Sequence, residues 1–216
     1  MPPTLTIPVR PSQRGEPVWE LLDILPEQGR WSEADYLALD TNRLVEFDNG
    51  CLEFLPMPDV IHQLIALMLA TALNELSVGG QTGLAVPSPF KLKIPNGKWR
   101  EPDVSYLTPG SLHRYRQEWW DYADLAIEVV SPDNPNCEYV KKRSDYALVG
   151  VPEYWIIDPA AETITVLVLE DGGAYRDDQV VHPGGVAASV LLPGFRVDLN
   201  DLLAKARRRT PGQAPA

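Results

Sequence analysis

The run Leu125-Ala126-Ile127-Glu128-Val129-Val130 constrains this chain more than any other segment. It is nearly continuous in apolar residues, the pattern of a strand covered on both faces rather than of one open to water. A carboxylate inside such a strand is costly unless an ion pair or a metal meets it. The run therefore predicts a strand inside a central sheet, together with a partner for Glu128.

The neighbouring signals place that strand in a mixed α/β sandwich. Ser32 followed by Asp35 forms a capping box that opens a short helix to about Leu39. Residues 44–47 and 51–55 flank Asp48-Asn49-Gly50, a hairpin turn signal. Ile61, Leu64, Ile65, Met68, Leu69, Ala72, Leu73 and Leu76 hold one face of a four-turn helix ending at Gly79-Gly80. Strands are predicted over 84–94, 103–107, 154–158 and 163–169, with short ones near 180–182 and 189–192. Residues 197–206 read as a closing helix.

A single domain over 19–209 follows from the length of 216 residues, with a proline-rich arm at 1–18 and a tail at 210–216. Hydrophobic residues make up 44% and mean hydropathy is −0.17, ordinary for a soluble protein. Cys51 and Cys137 have no metal or disulfide spacing, no secretory signal opens the chain, and no apolar run approaches a membrane span. Those features predict a cytoplasmic protein with no membrane partner. Net charge is −11, so the broad basic footprint of a non-specific nucleic-acid binder is missing. Cations cluster only locally, at Lys141-Lys142-Arg143 and at Lys205–Arg209.

Asn134 as N-cap, Pro135 in the first turn and Gly150 beyond the end predict one helix after the central strand. On it Tyr139, Lys142, Tyr146 and Val149 form one stripe, so Lys142 is an ammonium on a core-facing side. Burying it requires an anion opposite, and Asp103 and Glu128 lie just upstream. The basic run around Lys142 also allows an exposed lysine. Glu138, four residues before Lys142, can pair with it along one helix edge and orient it. Tyr146 and Tyr154-Trp155 read as core.

Taken in order, Glu46 with Asn49-Gly50, His62, Pro102-Asp103, Glu128-Val129-Val130-Ser131-Pro132, Lys142, Tyr146 and Gly150–Pro159 resemble the Uma2 family (DUF820). These are bacterial proteins assigned as endonucleases of the restriction-endonuclease-like PD-(D/E)xK superfamily. The resemblance spans about residues 31–170, and the block from Glu128 to Pro159 carries most of it. It implies a restriction-endonuclease-like core, α-β-β-β-α-β, with an N-terminal helix and hairpin. Asp103 matches the PD aspartate and Glu128 the following acid. The superfamily's usual lysine position holds Val130, and Lys142 matches a lysine moved to the next helix.

By that resemblance, Asp103, Glu128 and the Val129 carbonyl hold Mg²⁺, with Mn²⁺ as a substitute, for DNA hydrolysis. Lys142 orients water or stabilises developing charge. Glu46 is either a further acidic ligand or an edge-strand glutamate. His62 either touches the phosphate or a carboxylate, or only begins its helix. A homodimer suits double-strand cutting. Two other readings stand beside this one: a nuclease fold used only as a nucleic-acid or protein binding module, and a hydrolase of other phosphoesters. His62, His113 and His182 lack zinc spacing, and no nucleotide-binding or serine-hydrolase motif occurs.

Overall fold

A computed structural model describes residues 26–39, 41, 43–131 and 137–208. The expected arm and tail lie outside these residues, as do Asn134 and Pro135.

Helix α1 (Glu33–Leu37) opens with the predicted capping box: Ser32 Oγ accepts the Asp35 N–H, and Asp35 accepts the Ser32 N–H, each at 3.1 Å. β1 (Val45–Asp48) and β2 (Cys51–Phe54) form the predicted hairpin. Asn49 and Gly50 turn it with φ of 48° and 87°, the positive-φ pair that Asn-Gly favours. Helix α2 (Val60–Glu75) is capped by Asp59, whose carboxylate accepts the His62 N–H at 2.8 Å. A small hairpin, β3 (Ser77–Val78) and β4 (Gln81–Thr82), turns at Gly79-Gly80. Next come β5 (Leu84–Pro87), β6 (Lys91–Ile94), β7 (Lys98–Arg100), β8 (Val104–Leu107), β9 (Trp119–Trp120) and β10 (Leu125–Val129). A π-helical turn, Cys137–Lys142, leads into α3 (Arg143–Val149), closed by Gly150 at φ 81°. The chain continues through β11 (Glu153–Asp158), β12 (Thr163–Leu169), β13 (Tyr175–Val181), β14 (Val186–Ala188) and β15 (Arg196–Asp198) to helix α4 (Leu199–Arg208).

The central sheet has the order β13-β12-β11-β10-β8-β5. β10 and β11 run parallel, joined by the α3 crossover, while the other pairs are antiparallel. On one face Ile127, Val129, Trp155 and Ile157 pack with Ile65, Leu69 and Leu73 of α2 and with Leu202, Leu203 and Ala206 of α4. On the other, Ala126, Tyr154 and Ile156 meet Tyr146 of α3 and Leu92, Ile94 and Trp120 of a second sheet, β2-β1-β7-β6-β9. β10 is thus covered on both sides, as its sequence requires. Among the described residues no helix is long and apolar enough to cross a membrane.

Three expectations are corrected. Residues 84–94 are not one strand: Pro87 and Pro89 cannot donate to a ladder, and the segments on either side join different sheets. Residues 189–192 are not a strand either, because the Val190 and Leu191 N–H groups donate to Glu153 Oε2 at 2.8 and 2.7 Å. On α2, Ala66 and Ala70 are buried while Ala72 is exposed, so the inward face sits slightly round from the predicted stripe.

Gly50 carries a further constraint. A Cβ there would stand 2.7 Å from the Gly29 carbonyl oxygen, and the Gly50 carbonyl already accepts the N–H groups of Gly29 and Trp31. Gly50→Ala is predicted to destabilise the fold by about 2 kcal/mol, from positive φ and the clash together, read as a lowered urea midpoint.

Candidate active site

Alternation along β10 sends Leu125, Ile127 and Val129 into the α2/α4 core and Ala126, Glu128 and Val130 toward α3. Glu128 is 1% exposed and meets two side chains of one helical edge. Its Oε2 lies 2.9 Å from Lys142 Nζ, and its Oε1 accepts the Tyr146 hydroxyl. The predicted buried lysine is therefore present, 4% exposed, and its partner is the strand glutamate. Glu138 does not form the expected ion pair with Lys142. It lies with Lys142 in the π-helical turn, where the wider winding breaks the i, i+4 alignment, and its Oε2 is buried without a hydrogen-bond partner.

Asp103 sits one residue before β8, which pairs antiparallel with β10 through Val104↔Ile127. This register brings Asp103 beside the end of β10, where its Oδ2 accepts the Val129 N–H at 2.7 Å. The same oxygen lies 3.1 Å from His62 Nε2, which reaches it from the first turn of α2. Burial pushes the His62 pKa down, but the Asp103 hydrogen bond and charge, helped by Asp59 and the Val129 backbone, raise it above the ordinary histidine value. His62 therefore faces inward and holds a carboxylate.

Glu46 arrives from the second sheet and is fully buried. Its Oε1 accepts the Glu101 N–H at 3.3 Å and lies 3.6 Å from Lys142 Nζ, while its Oε2 lies 3.3 Å from Arg100 Nη1. Behind it Arg100, itself fully buried, donates from Nε to Asp145 at 2.8 Å and from Nη2 to Asp48 at 3.0 Å. Lys98 adds a 2.9 Å contact to Asp145. The sequence reading missed Arg100, Asp145 and Glu101. One signal pointed to Asp145, which stands three residues after Lys142 and so on the same side of the helix. Arg100-Glu101 also directly precede Pro102-Asp103.

Glu101, Asp103, Glu128, Glu138, His62, Val129 and Lys142 line one cavity of about 470 Å³. Burial lowers the Lys142 pKa, but Glu128, Glu46, Asp103 and Glu138 together raise it well above the ordinary lysine value, so it stays an ammonium. Burial raises Glu128, and Asp103 and Glu46 add to the effect against Lys142. Carboxylates outnumber cations here, a charge imbalance that a divalent cation would relieve. Among the described residues, no three His, Cys, Asp or Glu side chains converge as a preformed ion cage. Two carboxylates with a backbone carbonyl nevertheless match the sparse oxygen set that Mg²⁺ takes alongside water and phosphate. Asp103, Glu128 and Val129 fit that group in donor chemistry.

The neighbouring basic run is already occupied. Lys141 pairs with Glu53, and Arg143 pairs with Asp177 at 2.9 Å while donating to the Tyr175 carbonyl. The helix carrying Lys142 is thereby tied to both sheets.

An acid-bearing strand pair thus faces an inward lysine on the crossover helix of an α/β fold. Residues 33–200 match the model of the Uma2 family, described as "Putative restriction endonuclease", and the chain belongs to that family. A solved structure, described as a putative nuclease belonging to DUF820 from Anabaena variabilis, has the same fold, with a TM-score of 0.64 at 20% identity. The match covers 80% of this chain and 97% of that one. Comparison with curated proteins gives no match.

Burial, with the Glu46 anion beside it, pushes the Glu101 carboxyl up to about 7. The folded state therefore binds a proton that the unfolded state has released between about pH 4.5 and 7, and stability falls as pH rises through that window. Glu101→Gln is predicted to raise stability at about pH 8 by up to about 3 kcal/mol and to leave it unchanged at about pH 4, read from urea midpoints.

Proposed function

We propose that this protein is a Mg²⁺-dependent endonuclease that hydrolyses DNA phosphodiester bonds, with Mn²⁺ as a working substitute. The observation that carries the reading is the buried Glu128–Lys142 contact of 2.9 Å beside Asp103, at the ends of two paired strands and open to one cavity. Membership of a family described as restriction endonucleases supports it.

Asp103, Glu128 and the Val129 carbonyl would hold the ion. When bound, it polarises the phosphate and lowers the pKa of a water molecule. Lys142 enters as a protonated ammonium, so its part is to orient the attacking group and stabilise developing negative charge rather than to accept a proton. Glu46, closed off between Arg100 and Lys142, acts as the charge partner that fixes Lys142 in place rather than as an open ligand. His62 holds Asp103 Oδ2 through Nε2, which leaves the other carboxylate oxygen for the ion. Tyr146 and Lys142 hold Glu128 at Oε1 and Oε2, so an ion bound by Glu128 would share an oxygen with one of these two partners. A homodimer would present one site to each strand of a duplex.

Cleavage of supercoiled, linear and single-stranded DNA with Mg²⁺ or Mn²⁺ tests the assignment. Asp103→Ala, Glu128→Gln and Lys142→Ala are each predicted to lose at least about 100-fold in rate, the usual scale for removing a charge-stabilising group. Cleavage that survives in all three variants removes the site assignment. A wild-type protein that cuts none of these substrates favours the binding-module reading.

A further inference from the structure

Most cations around the catalytic cavity already have carboxylate partners. Lys142 faces Glu128, Lys141 faces Glu53, Arg100 faces Asp145, and Arg207, on the adjoining cleft, pairs with Glu162 at 2.7 Å. Two nearby cations differ. Arg43 and Lys91 have no carboxylate within ion-pairing distance among the described residues. Arg43 is exposed, and the Lys91 ammonium lies over the Tyr36 ring, 4.6 Å from its centroid.

Both line a second cavity of about 300 Å³. Arg43 and Glu101 belong to the walls of this cavity and of the catalytic one, so the two adjoin. Its carboxylates are Glu118, exposed and therefore screened by water, and Glu101, whose buried Oε2 has no hydrogen-bond partner. In a chain of net charge −11, two cations without a carboxylate at ion-pairing distance among the described residues, Lys91 acting on Glu101 only from farther off, require an explanation beside the proposed cleavage site.

We propose that this second cavity is a phosphate subsite, in which Arg43 and Lys91 bind phosphodiester groups of the substrate strand next to the scissile one. The assignment rests on the nuclease reading given above. A strand whose reacting phosphate lies between Asp103 and Lys142 must leave the catalytic cavity, and the shared wall at Arg43 is the exit that offers cations. A guanidinium there can take two phosphate oxygens at once, and the Lys91 ammonium supplies a point charge beyond it. Arg43 shares the catalytic cavity's wall, but neither its side chain nor that of Lys91 makes an ion pair or hydrogen bond with Asp103, Glu128 or Lys142. Both therefore bind substrate and transition state alike and act through KM rather than kcat.

The test is fluorescence anisotropy of a short labelled duplex and of the matching single strand, titrated across a range of salt concentrations. Arg43→Ala and Lys91→Ala are compared with their parent in the cleavage-blocked Glu128→Gln background. Each is expected to flatten the slope of log K against log salt by about 0.9 on the duplex or about 0.7 on the single strand. In the cleaving enzyme each is expected to raise KM several-fold with kcat unchanged. Arg176→Ala, which removes a remote cation already paired with Glu170 and Asp178, should leave the slope alone. Circular dichroism and an unchanged thermal midpoint establish that the variants are folded.

Unchanged slopes and affinities in both variants, with cleavage intact in the wild type, overturn the subsite and leave the nuclease reading standing. Flattened slopes in a wild type that never cleaves support the subsite and overturn the nuclease reading. A parent protein that binds neither probe overturns both.

Discussion

The contact between Lys142 and Glu128 is the interaction on which the rest of the site depends. It joins the middle of the central sheet to the crossover helix, where burial leaves each charge with little solvation of its own. Such pairs are poor devices for stability, since apolar residues of the same volume often do as well or better. Removing one partner alone is severe, at about 3–5 kcal/mol, because the remaining charge is stranded. The pair's place beside a second carboxylate, on the wall of a cavity, is what the proposed chemistry needs and what packing alone does not require.

The second sheet provides the electrostatic backing. Arg100 brings Asp48 and Asp145 together and lies against Glu46, and Glu46 in turn faces Lys142. The helix is held at four successive points: Lys141 to β2, Lys142 to β10, Arg143 to β13 and Asp145 to β7. A side chain clamped on both sides in this way loses rotamer freedom before substrate arrives, which is what electrostatic preorganisation requires. Lys142 is thus positioned by the hairpin sheet as much as by the sheet that carries its partner.

The parts of this arrangement that depend on local pattern were legible in the sequence. The unbroken apolar run around Glu128, the ammonium on a core-facing stripe, the Asn49-Gly50 turn and the Ser32–Asp35 box each follow from short-range stereochemistry, and each is found where that stereochemistry places it. Arg100 was not legible, because three carboxylates converge on it from β1 and α3, and no spacing along the chain encodes that meeting. The π-helical turn was missed for a similar reason. The residues from Cys137 to Lys142 satisfy ordinary helix periodicity, and only the backbone winding of the folded turn reveals the extra width. Glu153, buried on β11, captures two backbone N–H groups of the 189–192 segment and so prevents the strand that its apolar residues suggest.

The most direct measurement is an anomalous difference map from crystals soaked in Mn²⁺. The predicted result is a peak held by Asp103 and Glu128, with Lys142 still facing the same carboxylates. An enzyme that cleaves DNA in Mn²⁺ while its crystals show the ion elsewhere, with Asp103 and Glu128 unliganded, would contradict the central claim.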